Sequence, residues 1–447
     1  MLLGVLIAFA LVGLLARYLK GLRLPVILLL SAGTVAFVSP ASLLFCVFTA
    51  MLNFFLLRVS RNRTVFLFSL FFNLATLAVF HAYSLFCIKY SPAALPQLLG
   101  VTFLSLQYID YHFRVRYTIN KAPANFLSYL SAVIYLPKFF SGPVAVLPVI
   151  EAQIIKPASL KVYAGLNRVL LGLFKKLVLA ESLAISVHSV FDFNDAYPGL
   201  TVLCAAFLFS LQLYFDFSGY TDIAVGASMI WGIELPENFN FPFRQKSWSD
   251  FWKSWHASLT IWLWQYVFNP LFLFFERKGT NRNVIYLLCA VCVFAAMAFF
   301  NGIKSGFYIS AGIFTILYVT EQWFALKKKN WRSVVIFILF SLALIFFRNP
   351  DHAVYSGLAG QIFGPNFMPG QWLKDVLAPL ASGGAQQDYF NFSFTILLCA
   401  AFMLFERKIF SLLSTEKINY LAWFILLLLI FTWGVFDNGE RFIYMQV

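Results

Sequence analysis

Long apolar runs separated by short basic connectors set the pattern of this chain. Ala41–Leu57, Thr64–Ala82, Val284–Phe300 and Tyr420–Phe436 are nearly free of charge, and about 20 such residues in a helix cross a hydrocarbon core. Repeated from end to end, the pattern predicts an all-α polytopic membrane protein with about eleven to thirteen membrane-embedded helices, some half-length. Residues 1–447 are read as a single integral membrane domain. Its helices within 1–100 act as scaffold, 101–326 form the core that carries the chemistry, and 327–447 are carboxyl-terminal helices with an external loop over 348–391. The opening Met1–Ala10 lacks a basic leader region, so the first helix is expected to stay in the protein.

The interruptions are more informative than the runs. Gln107, Asp110, His112, Arg114 and Arg116 crowd one segment, and Pro137–Pro143 predicts a break. Lys161, Arg168 and Lys175 recur every seven residues, with Lys176 beside the last. That spacing predicts a basic stripe on an apolar helix at the cytoplasmic interface. Asp216 and Asp222 fall inside an apolar span with Ser218, Gly219, Tyr220 and Thr221. Carboxylates at membrane depth must be paired, protonated or facing water, so they read either as lining and orienting groups or as a buried pin between helices; Gly219 permits a local break. Gly232–Phe243 then holds Pro236, Pro242, Asn238 and Asn240, which rule out a continuous helix, and irregular backbone in a membrane is tolerated where it lines a cavity or is buried in protein. It leads into Ser247–Thr260, where His256 sits among Trp248, Trp252, Trp255 and Ser258. An ionisable ring at such a place is a candidate base, because histidine exchanges a proton near neutral pH. The bland alternative is an interfacial ring lying beside indoles.

Composition agrees with the pattern: 61% of residues are hydrophobic, 19% aromatic and only 12% charged. The net charge of +14 resides in connectors such as Arg17/Lys20/Arg23, Arg58/Arg61/Arg63 and Lys327–Lys329. That distribution follows the positive-inside rule rather than a nucleic-acid footprint and places the amino terminus outside. Cys289-Ala-Val-Cys292 has redox spacing but lies in an apolar helix with no second pair, so all six cysteines read as packing and no metal site is expected.

Three stretches together carry a resemblance: Phe215-Asp-Phe-Ser-Gly-Tyr-Thr-Asp222, Leu235-Pro-Glu-Asn-Phe-Asn-Phe-Pro-Phe243 and Asp250-Phe-Trp-Lys-Ser-Trp-His-Ala-Ser-Leu-Thr260, with Phe139–Val144 and Gly172–Ala180 upstream. They resemble the membrane-bound O-acyltransferase family, in the bacterial branch of alginate O-acetyltransferases and teichoic acid D-alanyl transfer proteins. The resemblance implies helices around a central tunnel, lined by Asp216, Ser218, Tyr220, Asp222, Asn238, Asn240, Trp252, Trp255 and Ser258. An acyl-CoA or acyl carrier protein thioester would enter from the cytoplasm, with no permanently bound cofactor. The acceptor would be a hydroxyl of an exported glycan or cell-envelope polymer, reached directly or through a second exported acyltransferase. The bacterial cytoplasmic (inner) membrane is the implied location.

His256 matches the histidine of the family's Trp-His motif. The family's second histidine is replaced: Phe300-Asn301-Gly302 stands where Trp-His-Gly is usual, and Trp264-Gln265 stands where the branch carries Arg-Asp. Asparagine cannot serve as a base. Either His256, or His112 beside Asp110, has taken over with Asn301 positioning the thioester carbonyl, or the chain is a degenerate homologue that scaffolds or relays acyl groups. A transporter would also suit the buried acids, although no paired broken helices in two related halves mark one.

Overall fold

A computed structural model describes residues 2–15, 18, 21–90, 98–191, 197–324, 326–349, 351–364, 367 and 386–436. Helix makes up 79% of the structure, and no strand occurs among the described residues. This is an all-α polytopic membrane protein. Among the described residues five helices are long and apolar enough to cross a membrane: Pro40–Val59, Arg63–Tyr83, Gly199–Ile230, Ala257–Arg277 and Arg282–Asn301. Shorter apolar helices include Leu3–Gly13, Arg23–Val38 and Tyr420–Trp433. Arg17, Lys20 and Lys374 lie outside the described residues, as does the side chain of Cys87.

The chain divides into two compact, interleaved units. The first comprises Met1–Gly172, Tyr220–Glu237 and Leu413–Tyr420. It holds α1 (Leu2–Gly13), α2 (Arg23–Val38), α3 (Pro40–Val59), α4 (Arg63–Tyr90), α5 (Val101–Arg116), α6 (Phe126–Val133), α7 (Leu136–Phe139), α8 (Leu147–Ile155) and most of α9 (Val162–Phe174). Here α3 packs on α2, α4, α5 and α6, while α8 packs on α5 and α6. The scaffold helices are more polar inside than their sequence advertises. Asn53 and Asn73 exchange amide hydrogen bonds of 2.9 and 3.4 Å. His112 Nε2 meets Asn53 Oδ1 at 2.9 Å, and its Nδ1 meets Ser60 Oγ. With both ring nitrogens engaged, His112 is a structural link between α5 and α3.

The second unit comprises Leu173–Gly219, Asn238–Leu412 and Leu421–Val447. It contains α10 (Glu181–Phe191), most of α11 (Gly199–Ile230), α12 (Trp248–Ser254), α13 (Ala257–Leu263), α14 (Asn269–Arg277), α15 (Arg282–Asn301), α16 (Ser305–Trp323), α17 (Arg332–Arg348), α18 (His352–Phe363), α19 (Gln386–Leu413) and α20 (Tyr420–Trp433). The helix pairs α15–α16 and α16–α17 pack together, and α16 also supports α12. The stretch expected as an open loop over 348–391 contains α18 and the start of α19; residues 368–385 lie outside the described residues.

Two expectations about backbone and charge are corrected. Gly219 does not break its helix: α11 runs unbroken for 32 residues, because its acids are neutralised without unwinding. The Lys161–Lys176 stripe is not a surface feature either. Only Lys161 is half-exposed, paired with Glu234 at 2.8 Å. Arg168, Lys175 and Lys176 are buried, since buried acids need counter-ions. Gly165 and Gly226 let α9 and the end of α11 touch: a Cβ on Gly226 would stand 2.5 Å from Gly165 O and 2.8 Å from Val169 N.

Candidate active site

Pro236 and Pro242 keep the segment after α11 irregular up to a single 3-10 turn at Pro242–Arg244. Within it, Asn238–Asn240 runs antiparallel to the residues that join α12 to α13. Phe239 bridges Trp255, Asn240 N–H donates to Ser254 O at 3.0 Å, and Ala257 N–H donates to Asn238 O at 2.9 Å. This short pairing brings the Asn238 side chain against His256.

His256 is itself in a left-handed conformation, with φ 44° and ψ 50° at the start of α13. Such backbone costs a non-glycine residue on the order of 1–3 kcal/mol and persists only where the surroundings over-determine it. Aromatic packing supplies that constraint. Phe217 meets the imidazole edge-on at 4.8 Å. Trp255 is enclosed by Phe340 at 4.8 Å, Phe239 at 5.3 Å and Phe251 at 5.9 Å. Trp252 lies against Phe314 at 5.0 Å and Phe294 at 5.2 Å.

Hydrogen bonding assigns the tautomer of the ring. Asn238 Oδ1 accepts from the Ser258 backbone N–H at 3.3 Å and from Ser258 Oγ at 2.8 Å. A backbone N–H can only donate, so this atom is the amide oxygen. His256 Nδ1, 2.9 Å from the same oxygen, therefore carries the proton, and the lone pair of the neutral ring lies on Nε2. Asn238 Nδ2 is buried with no hydrogen-bond partner, as is Trp252 Nε1. An unsatisfied buried donor costs about 1–3 kcal/mol, so Asn238 brings an unspent N–H beside the ring.

The other candidate residues are placed as follows. Asp216 binds Lys176, which also binds Glu181. Asp222 binds Arg168 at 2.6 Å, and the same guanidinium makes 2.6 and 3.2 Å contacts to Glu237. Both acids therefore sit in ion pairs, with Lys176 and Arg168 the partners that a separate reading of each motif overlooked. Ser218 Oγ is buried without a partner. Tyr220 OH donates to Pro137 O at 3.2 Å and ties down the predicted break. Asn240 is exposed, and its backbone, not its amide, holds the pairing. Asn301 ends α15; its Nδ2 donates to Met297 O at 2.8 Å in its own helix. Neighbouring Phe300 meets Trp262 of α13 at 5.9 Å.

Sequence reading missed what anchors α12. The buried Glu321 carboxylate accepts from the N–H groups of Trp248 (2.9 Å) and Ser249 (3.2 Å) and is paired with Arg332. It satisfies amide donors that open a helix, and the helix dipole favours its negative charge there. Ser247 caps the same turn, accepting from Asp250 N at 3.0 Å. The only signal in sequence was one acid in the apolar α16 with an arginine eleven residues on. Burial works to raise the Asp250 carboxyl, but hydrogen bonds from Lys328 and Ser247, with the charges of Lys328 and Lys253, outweigh it and hold the group below the ordinary carboxylate range. Among the described residues no three His, Cys, Asp or Glu side chains gather as a metal site.

Comparison with known proteins matches residues 26–349 to the membrane-bound O-acyltransferase family model. A probable alginate O-acetylase AlgI of Pseudomonas fluorescens is 27% identical over 289 residues, covering 61% of this chain and 55% of the relative. The peptidoglycan O-acetyltransferase of Helicobacter pylori is 29% identical over 240 residues, 50% of this chain and 44% of the relative. The teichoic acid D-alanyltransferase of Bacillus subtilis is 28% identical over 258 residues, 54% and 63% of the two chains. The chain thus matches about half the length of these relatives. With the family model covering most of its residues, the chain belongs to the membrane-bound O-acyltransferase family.

Proposed function

We propose that the chain is an O-acyltransferase of the bacterial cytoplasmic membrane that moves an acetyl- or D-alanyl-like group from a cytoplasmic thioester, on coenzyme A or an acyl carrier protein, to a hydroxyl of an exported glycan or cell-envelope polymer. The amino terminus faces outward in this reading. One observation carries it: the family's Trp-His histidine is buried, its Nδ1 proton held by Asn238 Oδ1 and its backbone strained.

In the proposed reaction His256 Nε2 takes the proton of the acceptor hydroxyl as its oxygen attacks the thioester carbonyl. The C–O bond forms, the C–S bond breaks, and the imidazolium returns the proton to the departing thiolate, leaving an ester and a thiol. Asn238 Nδ2 is the donor held ready for the oxygen that becomes negative. Ser258 keeps Asn238 Oδ1 turned toward the ring. The relatives named for O-acetyl and D-alanyl transfer support the acyl classes proposed.

The test is mass spectrometry of envelope glycans from cells lacking the protein. An ester should vanish with the deletion and return with the wild-type chain. A glycan profile that does not change on deletion would sink the reading.

A second reading, a degenerate homologue that scaffolds or relays acyl groups, is favoured by Asn301, whose amide is spent on Met297 O and offers no base. Asn301→His separates the two. If Asn301 merely leaves a working site underpowered, the substitution should raise turnover toward the ~10²–10⁴ that a second base typically contributes. A fall in turnover would show a pocket rebuilt around the amide.

A further inference from the structure

A pocket of about 480 Å³ opens in the second unit beside α12, and its lining gathers Arg244, Lys246, Lys328 and Arg407 against the single carboxylate of Asp250. Lys328 is paired with Asp250, which leaves three cations whose charge no lining acid offsets. Two of these are held in place. Arg244 donates to the carbonyls of Met403 and Leu404 at 3.0 and 2.5 Å, and the Arg407 guanidinium lies 5.3 Å over the Phe241 ring. Gathering like charges is unfavourable unless an anion offsets them.

The position of the pocket says which anion. Arg407 follows Leu404 by three residues on α19, so the two share a face, and Leu404 is 70% exposed with Phe405 beside it at 56%. On the other wall, Ser333 lines the pocket at the start of α17, flanked by Trp331 and Val334, each 59% exposed. Large apolar side chains bare on membrane helices face acyl chains, and an indole at their end marks the headgroup level. The cations lie beside those faces, and Lys328 of the basic Lys327–Lys329 connector is one of them. A basic pocket between membrane helices at that level recognises a phosphate that carries acyl chains.

We infer that this pocket binds the phosphate of an anionic phospholipid headgroup, seating the lipid's chains along α17 and α19. The inference stands apart from the acyl-transfer reading, because the pocket uses none of the groups around His256. A phosphate diester would lie between Arg244 and Arg407, with Lys246 at the rim.

The test is native mass spectrometry of the full chain with phosphatidylglycerol or phosphatidylcholine, on wild type and on a Lys246→Gln/Arg407→Gln variant. Both substituted side chains are exposed, so folding should be spared; Arg407→Lys, which keeps the charge, serves as control. Wild type should retain phosphatidylglycerol in preference. The double variant should bind it roughly 30-fold more weakly, at about one surface-cation contribution per charge removed. Equal retention of the two lipids by wild type, or an undiminished preference in the variant, overturns the inference. Two further arms name the source of the phosphate. If inorganic phosphate alone raises the thermal midpoint as much as phosphatidylglycerol does, the pocket takes a free anion. If coenzyme A does so in wild type but not in the variant, and phosphatidylglycerol in neither, the pocket serves the thioester donor. Either result removes the lipid assignment.

Discussion

His256→Ala is expected to lower acyl transfer by roughly 10²–10⁴-fold, the usual worth of a positioned general base. The loss should fall on kcat more than on KM, because in the proposed reaction the ring would act on the proton in flight and not on the bound ground state. A purely structural histidine would give a different pattern: its removal would unseat Asn238, loosen the Phe239–Trp255 pairing and lower thermal stability together with rate. His256→Gly makes the distinction sharp. Glycine accepts φ 44° without penalty, so it should be as inactive as alanine while melting at a higher temperature than the alanine variant. Initial rates of thioester consumption and thermal midpoints on the same purified samples check both statements. Alanine and glycine variants that keep wild-type rates would remove His256 from the chemistry, and the scaffold reading would take its place.

The helices were legible because apolar runs and charge spacing report burial directly. Ala41–Leu57 and Val284–Phe300 lie within Pro40–Val59 and Arg282–Asn301, and the irregular strap over Gly232–Phe243 was announced by its two prolines. What could not be read was pairing over distance. Arg168 and Asp222 are 54 residues apart, Lys176 and Asp216 are 40 apart, and Glu321 reaches 73 residues back to Trp248. Periodicity describes one face of one helix, so a cation that answers an acid on another helix looks like a surface stripe until the two are packed. The same limit explains Asn238. Its polarity inside the strap marked it as a candidate, but its bond to His256 depends on the antiparallel approach of Ser254–Ala257, which no local pattern encodes.

Breaking the Arg168 network should give the largest loss of stability in the first unit. Arg168→Met removes the guanidinium that answers both Asp222 and Glu237 and leaves the Asp222 carboxylate, with only 5% of its side chain exposed, without its cation. Removing one member of a buried pair costs about 3–5 kcal/mol, because the remaining charge cannot return to water. The Glu237 contact contributes little to this sum, since that side chain is 53% exposed and solvent screens it. A second substitution gives the argument its edge. Arg168→Met combined with Asp222→Leu takes away the stranded charge and fills the space with apolar atoms, and such replacements are often neutral or stabilising. The double variant should therefore recover most of the thermal midpoint lost by Arg168→Met alone, even though it has lost more hydrogen bonds. Acyl transfer should recover with it if the pair serves only to hold α9 against α11. Recovery of the midpoint without recovery of rate would place Asp222 among the lining and orienting groups, the first of the two roles its position at membrane depth suggested, whereas recovery of both would leave it the pin between helices.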